Sequence, residues 1–233
     1  MDYKYHFKVI LVGNAGVGKT AMIRRFTRGF FPFQEAPTIG VDMNVKTVLV
    51  DGEKVKFKIW DSAGQERFKS LTSSYYRNSD AAILVYSIDN EESFDSLHRW
   101  TKQLDKCGKD GLVKIIVGNK SDLEDEKAVS TQSAVEFALA DDAAAVIECS
   151  AKENDNIELL FEALARKLIS MTSEHCGSYC EDPKGKVMTY QGSDPAVERL
   201  INNFNQEKKV TKKKLFNLPE LSSGCFRKLC GLC

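Results

Sequence analysis

Between residues 7 and 170 the apolar positions change period repeatedly. FKVILVG is a short apolar run that reads as a buried strand, and KTAMIRRFTRGF after it reads as a helix. VDMNVKTVLV and KVKFKIW both alternate apolar and polar residues, and Asp51-Gly52 between them is a strong local signal for a hairpin turn. AAILVYSI, VKIIVGN and AAVIECS are unbroken apolar runs, the pattern of central strands covered on both faces. EESFDSLHRWTKQL and STQSAVEFALA read as helices. NIELLFEALARKLIS closes the series with Ile157, Leu160, Phe161, Leu164 and Leu168 on one helical face. Strand–helix alternation predicts an α/β fold: a six-stranded, mostly parallel sheet with one antiparallel strand and helices on both faces.

The texture changes after Ser170. MTSEHCGSYCEDPKGKVMTYQGSDP is rich in Gly, Ser, Pro and polar residues and reads as a linker. The expected organisation is therefore a folded domain over residues 1–172 and a largely disordered tail over 173–233. Within that tail Asp194 is a candidate N-cap and Pro195 a candidate first helical residue. Val197, Leu200, Ile201 and Phe204 share one face, which predicts a short amphipathic helix over 195–205. The plain alternative is nascent helix in a disordered segment, because helices this short are marginal alone.

Composition narrows the setting. The 233 residues are 42% hydrophobic and 28% charged, an ordinary folded composition. The formal net charge is zero, so no global field points to nucleic acid. Seven cysteines are an odd number and MDYKYHFKVILVG lacks the pattern of a secretory signal, which predicts free thiols in a reducing compartment. No apolar run approaches membrane-spanning length, and Met1 is not followed by the Gly that N-myristoylation needs. The neutral total hides an asymmetry. Residues 171–233 hold ten Lys/Arg against seven Asp/Glu, and from Lys208 onward Lys208, Lys209, Lys212, Lys213, Lys214, Arg227 and Lys228 face only Glu220.

The chemistry concentrates at the ends of the expected strands. GNAGVGKT comprises Gly13, Asn14, Ala15, Gly16, Val17, Gly18, Lys19 and Thr20. It fits the phosphate-binding pattern G-x-x-x-x-G-K-[ST] and lies between a strand and a helix, the context that supports it. The glycines let backbone N–H groups wrap phosphates at a helix N-terminus. Lys19 can reach the β- and γ-phosphates, and the Thr20 hydroxyl can ligate Mg²⁺. NKSD, from Asn119 to Asp122, follows the strand VKIIVG, at the strand end where open α/β sheets bind ligands. The Asp122 carboxylate can accept from guanine N1–H and N2–H₂ together. Adenine offers no donor there, a mismatch that discriminates strongly. Asn119 and Lys120 can brace the loop and cover the base. Roughly 100 residues after a phosphate loop, and followed by Ser150-Ala151-Lys152, this tetrapeptide is far more specific than it is alone. WDSAGQERF adds Asp61, placed to hold Mg²⁺, Gly64 with an N–H for the γ-phosphate, and Gln65 to orient attacking water. Thr38 can ligate Mg²⁺ and sense the γ-phosphate.

GNAGVGKT, TIGVD, WDSAGQERF, NKSD and SAK in this order make residues 5–170 resemble a Ras-superfamily small GTPase, with a P-loop G domain. IGVD after Thr38, ERF after Gln65 and SYYR at 74–77 resemble the Rab family, and GFFPFQEAPTIGVDMNVKTV and SYYRNSDAAILVYSI its Golgi-associated Rab-thirty branch. The resemblance implies a monomeric GTP hydrolase that binds GDP and GTP with Mg²⁺, switches through loops near residues 33–43 and 62–78, and serves vesicle trafficking. It implies exchange-factor, activating-protein, effector, prenylation-escort and dissociation-inhibitor partners, and no nucleic acid. It also implies that Phe31 contacts the guanine face, that the Ala151 N–H reads O6 and that Lys152 packs nearby. Ile39, Gly40, Met43, Trp60, Phe68 and Tyr75 would form the effector surface. Two positions depart from the pattern: Ser62 stands where Thr is usual, and Met43 where an aromatic is usual. Ser62 keeps the hydroxyl, whereas Met43 changes the shape offered to effectors.

Three rival readings remain at this level. A GTP-binding scaffold would lack hydrolysis, an ATP-dependent phosphate-loop enzyme would conflict with NKSD and SAK, and a nucleic-acid binder would rely on a lysine cluster without interleaved aromatics. The end of the chain, SSGCFRKLCGLC, suits a metal or redox site poorly and has the C-a-a-X frame over 230–233, although a terminal Cys is not a usual X residue; the resemblance implies isoprenoid attachment there, on Cys230 alone or on both Cys230 and Cys233. Cys225 is a palmitoylation candidate. A basic stretch beside a lipid supplies the second signal that stable attachment to the cytoplasmic face of an intracellular membrane requires.

Overall fold

The computed structural model describes residues 3–32, 38, 40–62 and 76–176 of the chain. Six strands form one sheet: β1 (Tyr5–Val12), β2 (Val41–Val50), β3 (Glu53–Ser62), β4 (Ala81–Ser87), β5 (Val113–Asn119) and β6 (Ala145–Cys149). Among the described residues five α-helices accompany them: α1 (Lys19–Arg28), α2 (Glu91–Asp95), α3 (Leu97–Cys107), α4 (Thr131–Ala140) and α5 (Ile157–Cys176). The spatial order is β2-β3-β1-β4-β5-β6, with every pairing parallel except β2 with β3. The predicted α/β sheet with its single antiparallel strand is the fold observed.

Local chemistry accounts for the one reversal. Asp51 and Gly52 both take positive φ, 50° and 81°, and Val50 pairs directly with Glu53. Two left-handed residues make a primed two-residue turn, whose twist matches that of the strands it joins. The unbroken apolar runs behave as their composition requires: every residue of β4 is buried, and β5 is buried except for Lys114. On one face of the sheet, Phe26 of α1 and Phe161 of α5 stack with centroids 3.7 Å apart, and Phe57 of β3 meets both edge-on. Such ring pairs add about 0.5–1.5 kcal/mol each beyond their buried area.

Three boundaries differ from the sequence reading, each for a physical reason. Gly29 adopts φ 76° and its N–H closes on Arg25 O, so α1 stops before Phe30. EESFDSLHRWTKQL forms two helices that meet at Ser96, and Asn90 caps the first by accepting from the Ser93 N–H. α5 continues past Ser170 to Cys176, since Met171 still packs against the core and Thr172 Oγ1 donates to Leu168 O. The short helix expected at 195–205 lies outside the described residues, as do Cys225, Cys230 and Cys233. No helix among the described residues is long and apolar enough to cross a membrane.

Candidate functional site

Four strands deliver the site at their carboxyl ends. β1 runs into the phosphate loop, β3 ends with Asp61 and Ser62, β5 ends at Asn119, and β6 leads into Ser150. In the loop, a Cβ added at Gly13 would lie 2.1 Å from Val85 O, and one at Gly18 would lie 2.2 Å from Asn119 Nδ2. Both glycines also take positive φ, so only glycine lets the loop approach β4 and β5 this closely. Gly18 is the N-cap of α1 and no side chain caps the helix there, which leaves the first turn directed at the loop as an anion site.

Lys19 is buried, and its Nζ donates to Gly13 O at 2.9 Å and Asn14 O at 2.8 Å. Burial lowers its pKa to about 8, against the opposing pull of the Asp61 carboxylate. A desolvated ammonium folded over the loop is a group that gains from meeting phosphate charge. Thr20 Oγ1 donates to Asp61 Oδ2 at 2.5 Å and lies 2.9 Å from Thr38 Oγ1. Two hydroxyls and a carboxylate thus converge from α1, the residue 38 segment and β3. An all-oxygen set with a single carboxylate fits Mg²⁺, which takes few protein ligands and leaves its remaining positions to water and phosphate.

The second half of the site joins β5 to β6. Asn119 is buried: its Nδ2 donates to Val17 O at 2.8 Å, and its Oδ1 accepts from the Ala151 N–H at 3.3 Å. One side chain therefore ties the phosphate loop to the Ser150–Lys152 turn. Asp122 Oδ1 accepts from Ser150 Oγ at 2.6 Å, and Lys152 Nζ lies 3.5 Å from its other oxygen. Lys120 sits at φ 68° with its amine 3.5 Å from Asp89. Phe31 is half-buried and packs against the core. Ile39, Gly64, Gln65, Phe68 and Tyr75 lie outside the described residues.

Two contacts escaped the sequence reading. Arg25 of α1 donates from Nε to Ala151 O at 2.8 Å and from Nη2 to Lys152 O at 2.7 Å, clamping the turn expected to hold the base. The Asn14 side chain reaches the opposite way. Its Nδ2 donates to Ser96 Oγ at 3.0 Å, and its Oδ1 accepts from Trp100 Nε1 at 3.1 Å and Arg99 Nη2 at 3.3 Å. No local signal marks either, because each partner is distant in the chain.

The model of the Ras family matches residues 8–170. The chain belongs to the Ras family of small GTPases, on its Rab branch. It is 52% identical over 169 residues to human Ras-related protein Rab-30, covering 72% of this chain and 83% of that one. It is 40% identical over 174 residues to human Ras-related protein Rab-19, covering 75% and 80%. The match to GTP-binding protein YPT1 of Saccharomyces cerevisiae is 42% over 173 residues, covering 74% and 84%. This Rab GTPase binds GDP and GTP with Mg²⁺, hydrolyses GTP and acts as a nucleotide switch in membrane trafficking. As a family member it works with exchange factors, activating proteins, effectors and dissociation inhibitors, in association with endomembranes. The rival readings as an ATP enzyme, a nucleic-acid binder or an inert scaffold are not favoured.

The two departures from the family pattern now have surroundings. The buried Ser62 hydroxyl donates to Leu11 O at 2.6 Å, a bond that threonine could equally make and that ties β3 to β1 beside the phosphate loop. Met43 is 47% exposed and stands opposite Trp60 in the β2–β3 register. It is a surface residue at the nucleotide end of the hairpin.

Proposed function

We propose that the switch in this Rab GTPase is carried by Thr20, Thr38 and Asp61 around Mg²⁺, with Asp122 as the reader of guanine. The observation behind this is the convergence of three oxygen ligands from α1, the residue 38 segment and β3. Thr20, Thr38 and Asp61 would hold the ion, which would supply positive charge against the phosphates. Lys19 and the backbone N–H groups of residues 13–20 hold the phosphates. Thr38 and Gly64 are held in the GTP state and released when hydrolysis removes the γ-phosphate, which orders and loosens the segments they belong to. Gln65 orients the attacking water. An activating protein that supplies an arginine accelerates turnover by about 10³–10⁵.

Ser150 and Lys152 keep Asp122 in position, Asn119 braces the turn behind them, and the Ala151 N–H meets the base oxygen. Phe31 lies against the base. Effectors engage Ile39, Gly40, Met43, Trp60, Phe68 and Tyr75 in the GTP state. Cys230 and Cys233 carry prenyl groups, and the basic stretch from Lys208 assists attachment to Golgi membranes.

Single-turnover hydrolysis with Gln65→Leu tests the catalytic assignment: an unchanged rate, with and without an activating protein, would sink it. Competition of GTP against ATP tests Asp122, since Asp122→Ala should erase most of the preference. Mass spectrometry of the C-terminal peptide from membrane-bound protein tests the anchor, and unmodified Cys230 and Cys233 would end that proposal.

A further inference from the structure

The β2–β3 hairpin carries a two-row surface that nucleotide chemistry does not use. On its outward face β2 presents Met43, Val45, Thr47 and Leu49, of which the three apolar residues are 47%, 46% and 69% exposed. The register sets Trp60, Lys58, Lys56 and Lys54 of β3 directly beside them. An apolar row and a lysine row thus run side by side, about 4.8 Å apart.

Several lysines elsewhere in the fold lie on carboxylates: Lys4 with Glu53, Lys46 with Glu158, Lys109 with Asp80, Lys114 with Asp141, Lys127 with Glu148 and Lys152 with Asp122. Among the described residues Lys54, Lys56 and Lys58 have no carboxylate partner, and no acidic residue occupies this face of β1–β3. Their neighbours on β1 supply none: Lys58 lies opposite Lys8, and Lys56 lies opposite His6 with its amine 4.6 Å from the centroid of the Tyr3 ring. The like charges of Lys58 and Lys8 facing across the sheet cost stability, a cost that negative charge from outside the domain would offset.

We propose that this face is the docking track for an acidic amphipathic segment of an effector protein, with apolar residues on Met43, Val45 and Leu49 and Asp/Glu on Lys54, Lys56 and Lys58. The track rests on the reading of Met43 and Trp60 as effector surface and extends it along the whole hairpin. From residue 43 to residue 49 is about 20 Å, which about four turns of helix would cover. A protein segment fits better than a lipid surface. Lysine arms outreach the Val and Leu side chains beside them, so a flat bilayer would be held off the apolar row, whereas a single helix settles along it.

Site-specific photo-crosslinking in cells tests this with full-length protein locked by Gln65→Leu. One photoreactive residue replaces Thr47, at the middle of the track, and in a separate protein another replaces Met43. Mass spectrometry then identifies what is attached. The expected product at Thr47 is a protein peptide rich in apolar and Asp/Glu residues, from the same protein captured at Met43. Its yield should fall at least fivefold when Lys54, Lys56 and Lys58 are changed together to Glu. A Lys→Gln triple variant, checked for stoichiometric GDP binding, should give a smaller fall and guards against misfolding. Lipid adducts at Thr47, peptides without acidic residues, or a yield indifferent to both triple changes would overturn the proposal. Capture at Met43 with nothing at Thr47 would overturn the track and leave the effector surface standing. Capture at neither position would overturn both.

Discussion

Replacing Arg25 with Ala should speed GDP release without altering any residue assigned to contact the nucleotide. The guanidinium makes a part-buried bond to Ala151 O at 2.8 Å and an exposed one to Lys152 O at 2.7 Å. A hydrogen bond from a charged donor contributes roughly 1.5–3 kcal/mol, and about half that where water competes. Freed carbonyls at this surface regain water, which trims the loss further. A total near 2 kcal/mol is the expected loss of constraint on the Ser150–Lys152 turn. If that turn must be in place to hold the base, release accelerates by about 10- to 30-fold, since each 1.4 kcal/mol is tenfold. The assay follows a fluorescent GDP analogue displaced by excess unlabelled GTP at saturating Mg²⁺. Arg25→Lys, which can reach one carbonyl, should fall between wild type and Arg25→Ala. A release rate for Arg25→Ala within twofold of wild type, at any change in melting temperature, would refute the clamp and leave Arg25 as a helix-end cation only.

Other perturbations follow from the same geometry. Asn14→Ala removes the acceptor of Trp100 Nε1 and the donor to Ser96, and should cost about 1–2 kcal/mol, seen as a few degrees in the melting temperature of the GDP-bound protein. Gly18→Ala puts a Cβ 2.2 Å from Asn119 Nδ2 at φ 93°, and calorimetry should show nucleotide binding weakened by about 100-fold or more. Tyr86→Phe removes a buried hydroxyl that has no hydrogen-bond partner among the described residues, so urea unfolding should find it neutral or more stable by up to about 1 kcal/mol. A clear loss of stability on Tyr86→Phe would mean that the hydroxyl is satisfied by water.

What short-range chemistry decides was legible in the chain. A two-residue turn needs two positive φ values, and Asp51-Gly52 supplies them within the dipeptide. A phosphate loop needs glycine beside a strand end and a lysine at the helix start, and GNAGVGKT holds all of it within eight residues. Period alone separated the covered strands β4 and β5 from the alternating β2 and β3, because burial on two faces or on one is imposed along each strand independently. The contacts that only tertiary structure decided join residues far apart in the sequence. Arg25 and Ala151 are 126 positions apart, and Asn14 and Trp100 are 86 apart. α5 outlasted its apparent end because Met171 found the core, which composition after Ser170 does not reveal. The lysine row of β3 is three alternate residues in the sequence and nothing more. It becomes a surface only when the register sets it between the apolar row of β2 and His6 and Lys8 of β1, since charge and exposure belong to the assembled face and not to any one strand.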